Sequence, residues 1–224
     1  MGARRLRSRG DGAPRRDRPA EILARATALF ADAGVANVSM NDIADAVGIQ
    51  KPSLYYFFPS KQELLRALIQ PLVEEPYREL RAIAEGSEPA ERKVVAAMVA
   101  LGRTFDRNRS GMEIVVREKL ERHLSPAAFR EIMRTKAAYT ALWRRMLREG
   151  IRSGRFVPLD DKIVAFAIIG SLDWMYAWFD PGGELAAEEI ARRIAAAFLD
   201  GIVARRRRAT RGHNPTKAKT GSTS

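Results

Sequence analysis

Apolar residues recur at spacings of three and four along most of the chain, and no stretch shows a long apolar–polar alternation. That pattern predicts an all-α fold. Ala20–Ala33 carries Ile22, Leu23, Ala26, Leu29 and Phe30 on one stripe and stops at Gly34. Ser39 then caps a second helix, with Asp42 three residues on as the acidic partner of a capping box. Ile43, Ala44 and Val47 follow at helical spacing, and Gly48 stands where a left-handed residue would end the helix. Ile49 is an apolar turn residue. A third helix begins near Gln50, which is a poor cap, and tolerates Pro52 because its first turn has no intrahelical N–H bond to lose. Leu54 and Phe58 face inward and Pro59 closes it. Ser60 and Glu63 form a second capping box opening Ser60–Val73, where Leu64, Leu65, Leu68 and Leu72 point inward. Pro71 and Pro76 predict a kink or break, with helix resuming over Tyr77–Glu85.

The remaining pattern is also helical. Pro89–Arg107 carries Val94, Val95, Met98, Leu101 and Phe105 on one face. A polar turn over Asn108–Gly111 separates it from a short helix, Met112–His123. Ser125-Pro126 starts a long helix running to about Gly150, with Ile132, Tyr139, Trp143 and Met146 on its stripe. Asp160 caps Asp161–Phe179, which is apolar on almost every face apart from Lys162 and Asp173. A helix apolar all round has to be buried all round. In a chain of this size, a second copy is expected to cover half of it. Asp180-Pro181-Gly182-Gly183 breaks the chain before a final helix, Glu184–Val203.

Charge changes the picture through its location. The net charge of +12 sits at the two ends: seven arginines against two aspartates in residues 1–18, and seven basic residues with no acid in residues 205–224. The sequence between them is formally neutral. Both ends read as disordered basic segments. Attraction to a polyanion would then come from the arms, and selectivity from the neutral body. The chain has no cysteine and two histidines, His123 and His213, each expected on the surface, so thiolate and histidine metal sites are excluded. No nucleophile–base pair or glycine-rich phosphate loop is present, so no enzymatic activity, cofactor or metal is expected. Without a membrane span or secretory leader, the expected location is the cytoplasm.

Two short helices joined by so tight a turn make a helix-turn-helix, whose second helix enters the DNA major groove. An ordinary helical hairpin has the same spacing. The aromatic run Tyr55-Tyr56-Phe57 is too bulky for a three-helix core, however, and Lys51 and Lys61 flank the short helix as phosphate anchors would. From Ala20 to Leu68 the sequence resembles the DNA-binding segment of TetR-type transcriptional regulators. Its most specific element is Pro52-Ser53-Leu54-Tyr55-Tyr56-Phe57-Phe58-Pro59-Ser60-Lys61. The resemblance implies phosphate contacts at Ser39, Tyr55 and Lys61, and places Asn41, Lys51, Pro52, Ser53 and Phe57 nearest the bases. Gln50 departs from the usual Ser, Thr or Asp cap.

The C-terminal half offers a different chemistry. Met98, Phe105, Met112, Val116, Trp143, Met146, Phe166 and Met175 could line a cavity between helices or simply fill a core. The run Gly170–Gly183 and the helix after it resemble TetR-type regulators of fatty-acid and sterol catabolism. That resemblance implies an acyl-CoA thioester effector. Arg117, Arg122, Arg134 and Arg148 are basic residues close to the expected cavity, and each taken singly reads better as part of a solvated helix face. Ile169, Trp174, Ile194 and Phe198 are the expected dimer contacts. The expected organisation is a basic arm (1–18), a helix-turn-helix domain (19–68), an effector-binding and dimerisation domain (69–204) and a basic tail (205–224). The function so implied is a homodimeric repressor of a palindromic double-stranded DNA operator, released by a small hydrophobic effector. The alternatives are a non-specific architectural DNA-binding protein and a multidrug-responsive regulator of an efflux gene.

Overall fold

The structure is a computed structural model that describes residues 17–202. Its first three helices are α1 (Arg18–Ala33), α2 (Met40–Val47) and α3 (Lys51–Phe57). Helix α1 starts two residues ahead of expectation because the Asp17 carboxylate accepts the Ala20 N–H, and Pro19 occupies the first turn. The arm drawn over residues 1–18 therefore gives up Asp17 and Arg18 to this helix. The rest of that arm, the tail over residues 205–224 and His213 lie outside the described residues.

Helix α4 (Lys61–Glu85) leaves these three and runs into the second half. It is one helix of 25 residues with Pro71 and Pro76 inside it, rather than two. Each proline removes an N–H and leaves the carbonyl of Ala67 or Leu72 without its helical donor. Packing against its neighbours keeps the helix together.

Helix α5 (Ala90–Arg117) is likewise continuous where a turn was expected, and Asn108 alone leaves helical geometry (φ −134°, ψ 34°). The expected turn over residues 108–111 is a kink, and the expected helix to His123 stops at Arg117 before a single 3-10 turn, Leu120–Arg122. Helix α6 (Pro126–Arg152) spans the domain. Helix α7 (Asp161–Asp173) ends earlier than expected; Trp174 interrupts it before the short α8 (Met175–Trp178), and α9 (Ala187–Ile202) is the last helix among the described residues. No strand occurs among the described residues, and the fold is all-α.

Two apolar cores result. The first joins Ile22, Phe30, Ile43, Leu54, Leu65 and Ile69 to Ile114, Val115 and Ile132. The second is built on Met98, Phe105, Trp143, Met146, Leu172 and Met175. Leu72 packs against both. The kinked part of α5 comes very close to it: a Cβ added at Gly111 would lie 2.6 Å from Leu72 Cδ1. The glycine therefore allows α4 and α5 to touch where the two cores meet.

Candidate nucleic-acid interface and ligand cavity

The surface around α3 is set by three local devices. Ser39 N–H donates to Asp42 Oδ2 at 2.7 Å and Asp42 N–H donates to Ser39 Oγ at 3.2 Å, closing the capping box on α2. Hydrogen bonding from the Ser39 backbone N–H, and then from its hydroxyl, holds the Asp42 carboxyl below its ordinary range. Gly48 takes a left-handed conformation (φ 71°) and its N–H caps α2. Helix α3 then starts at Gln50, whose side chain makes no cap bond. The Ser60 hydroxyl accepts the Glu63 N–H at 3.1 Å, which is one half of the second expected box.

Leu54 and Phe58 are buried beneath α3, and its outer face is left to Lys51, Pro52, Ser53, Tyr55 and Tyr56. Tyr56 is 85% exposed, a further candidate for this surface beyond the expected contacts. Its edge packs on Phe57 at 5.4 Å between ring centroids. The signal for it was present: a large aromatic residue beside Tyr55 with no inward position left to fill. Ser39 and Asn41 are exposed on α2, whereas Phe57 and Lys61 are half-buried. The Lys51 ammonium lies 5.9 Å from the Tyr55 ring centroid and the Lys61 ammonium 5.9 Å from that of Phe30. Burial lowers the Lys61 pKa, while Asp42 and Glu118 pull it the other way.

A cavity of about 340 Å³ opens between α4, α5, α6 and α7. Leu72, Val73 and Pro76 of α4 form one wall; Leu101, Met112, Val115 and Val116 of α5 form another. Helix α7 adds Phe166, Ile169 and Gly170. The polar lining is Lys136, Tyr139 and Thr140 of α6, facing Asp173 of α7. Burial pushes the Asp173 carboxyl up to about 6, with Lys136 opposing, and burial also raises the Tyr139 phenol.

Of the expected cavity residues, Met112, Val116 and Phe166 are brought together here. Met98, Phe105, Trp143, Met146 and Met175 are instead sealed in the second core. They sit on the inner stripes of their helices, whereas the cavity lies to one side, walled by α4, α5, α6 and α7. Arg117 faces solvent and pairs with Glu113, so it is not a lining residue. Arg122 and Arg134 are exposed, and Arg148 is 3.9 Å from Asp161. The basic residue lining the cavity is Lys136, which was not among the expected residues. Ile169, expected at a dimer contact, lines the cavity and packs on the core.

Apolar surface remains on the outside of the same helices. Ile163 is 63% exposed, Phe166 53%, Trp174 59% and Trp178 50%. Ile194 and Phe198 of α9 are half-buried beside the core. Helix α7 is therefore not covered on all sides within one chain, although its apolar pattern calls for burial all round.

A polar contact also joins the end of α5 to the head. Helix α5 carries Met112, Val115 and Val116 into the cavity, and Glu118 follows at its end. Glu118 Oε1 accepts the Val35 N–H at 3.1 Å, between α1 and α2. His123 Nε2 is 3.5 Å from Glu118 Oε2, so this histidine is half-buried rather than simply exposed.

The family model for bacterial regulatory proteins of the tetR family matches residues 22–68, and that for the tetracyclin repressor-like C-terminal domain matches residues 87–202. The HTH-type transcriptional repressor KstR2 of Mycobacterium tuberculosis is 26% identical over 186 residues, covering 83% of this chain and 92% of that protein. The solved structure of that ketosteroid transcriptional regulator superposes with a TM-score of 0.80, at 26% identity, over 85% of this chain and 97% of the other. PfmR, a TetR family regulator from Thermus thermophilus, gives a TM-score of 0.74 at 27% identity over 84% of this chain and 97% of its own. AibR, solved with isovaleryl coenzyme A and operator DNA, shares the fold with a TM-score of 0.70 at 24% identity, over 81% of this chain and 97% of its own.

Proposed function

The chain belongs to the tetR family of bacterial regulatory proteins, and we propose that it is a homodimeric repressor that leaves a palindromic operator when a small hydrophobic effector fills the α4–α7 cavity. The observation that supports this reading is the pairing of a short helix with an exposed outer face, α3, with a mostly apolar cavity lined by α4, α5, α6 and α7. The relatives reported above are named as regulators, which favours regulation over catalysis.

Lys51, Pro52 and Ser53 lie at the N-terminal end of α3, the end that approaches base edges in a helix-turn-helix. Ser39, Tyr55, Tyr56 and Lys61 surround it as phosphate contacts, with Asn41 and Phe57 at the margin of the base-reading surface. The exposed face of Ile163, Phe166, Trp174 and Trp178 supplies the two-fold contact, and Ile194 and Phe198 stand next to it. That symmetry sets the operator as a palindrome with half-sites about one helical turn apart, or a multiple. The protein acts in the cytoplasm, where its DNA is.

For the effector, a cavity of about 340 Å³ lies at the low end of small-ligand sites, which run from about 300 to 1,000 Å³. An acyl group fits that space, and the nucleotide of a coenzyme A thioester would stay outside it. The AibR complex with isovaleryl coenzyme A supports this class of ligand through a shared fold. An effector releases the operator only by binding the DNA-incompetent state more tightly.

The test of base reading is a titration on operator and scrambled duplexes. Lys51→Ala should relax sequence preference by about 1–3 kcal/mol, and Lys61→Ala should weaken both duplexes about equally. Equal losses from Lys51→Ala on the two duplexes would remove its base-reading role.

A further inference from the structure

We infer that the α4–α7 cavity selects an uncharged, oxygen-bearing group on an apolar body, held between Lys136 and Asp173, and discriminates against free carboxylates and amines. This rests on reading the cavity as the effector site and narrows the chemistry of the effector's buried end. Lys136 enters from α6 and Asp173 from α7, and both line the cavity. Among the described residues neither has an ion-pair partner within 4 Å, including each other. Two opposite charges thus face one space without meeting across it.

The rest of the lining is mostly apolar, so a ligand that enters loses its water there. Lys136 and Asp173 line one cavity and the Lys136 charge acts on the Asp173 carboxyl, so a ligand carboxylate drawn to Lys136 is also repelled by Asp173 in a poorly solvated site. An ammonium near Asp173 meets Lys136 in the same way. A hydroxyl escapes both penalties: it accepts from the Lys136 ammonium and donates to the Asp173 carboxylate. A ketone satisfies Lys136 alone. The Thr140 hydroxyl is already committed, donating to the Lys136 carbonyl at 3.1 Å, so it adds no competing donor. Burial places the Asp173 carboxyl at about 6, so near neutral pH it is chiefly ionised and acts as acceptor. Charged carriers attached to the effector would remain at the cavity mouth, away from this pair.

The test uses the full chain and four probes of one size: octan-1-ol, octan-2-one, octanoate and octylammonium, titrated by calorimetry at pH 7.5. Octan-1-ol should bind tightest and octan-2-one next, each at least about tenfold tighter than either ion, a difference equal to one pKa unit of charge preference. Asp173→Asn should recover octanoate binding by about tenfold, and Lys136→Met should do the same for octylammonium. Val116→Trp, which fills the cavity from α5, should abolish binding of every probe. Octanoate binding the unaltered chain as tightly as octan-1-ol would overturn the selectivity and leave the cavity reading intact. Binding of no probe, or binding unaffected by Val116→Trp, would overturn both.

Discussion

Glu118 links the cavity wall to the head by a hydrogen bond, beside the apolar contact that Val115 makes, and its removal has a calculable local effect. Its carboxylate accepts the Val35 N–H at 3.1 Å, and its neighbours on α5 line the cavity. A hydrogen bond to a charged group contributes about 1.5–3 kcal/mol. Glu118→Ala removes that acceptor, and the loss corresponds to a rise of roughly 10- to 150-fold in the opening of the Val35 amide. Glu118→Gln keeps an acceptor but loses the charge, so its rise should be smaller. Residue-resolved amide hydrogen exchange on the full chain reads this directly. Exchange should accelerate at Val35 while the amides of α6 keep their protection. The same variant should show a smaller change in operator affinity when effector is added, because one physical link between cavity and head is gone. Unchanged protection at Val35 in Glu118→Ala would refute the link, as would full effector response with the bond lost.

Trp174→Glu and Ile163→Glu place a charge on surface that is open in the protomer, so helicity should be retained while sedimentation shows monomers and operator affinity falls at least about tenfold; dimers in both variants would reassign the interface. Lys93 is buried and its ammonium donates to both Glu149 oxygens at 3.1 Å. Glu149→Ala should cost about 2–4 kcal/mol in denaturant unfolding by stranding that charge, while Lys93→Met should stay within about 1 kcal/mol. Asp173 titrates at about 6 in the fold against 3.8 ordinarily, so it favours the folded state fully below pH 3.8 and loses that contribution as pH rises through 6. Lys136 and Tyr139 of α6 are the titratable groups that share its cavity. Asp173→Asn should therefore melt higher than the unaltered chain by about 2–6 °C at pH 7.5 and no higher at pH 4; an equal gain at both would show that the effect is not ionisation.

What the sequence made legible was local. The Ser39–Asp42 box, the left-handed Gly48 and the uncapped start of α3 depend on neighbours three or four residues apart, and all three appear in the structure. Helix continuity was harder. Pro71 and Asn108 carry breaking signals, yet α4 and α5 run through them because packing against other helices outweighs local preference. The cavity was legible only in part. Its residues share inward stripes with core residues, and spacing within one helix does not reveal whether a neighbouring helix fills the space opposite. Met146 and Trp143 therefore looked equivalent to Met112 and Val116 until the helices were packed. Lys136 carries no signal in the sequence, and Asp173 shows only as an interruption of an apolar helix, because a lone charge on a helix usually marks a solvated face.

The central claim is that α3 reads a specific sequence as part of a two-fold assembly. Selection of the full chain against a pool of random duplexes tests it most directly. Enrichment should converge on a palindrome with half-site centres about one helical turn apart, or a multiple. The selected duplex should bind at least about a thousandfold tighter than a scrambled one at the same salt. Recovery of a pool without common sequence, bound with a steep salt dependence and no preference, would contradict the claim and leave a general DNA-coating protein in its place.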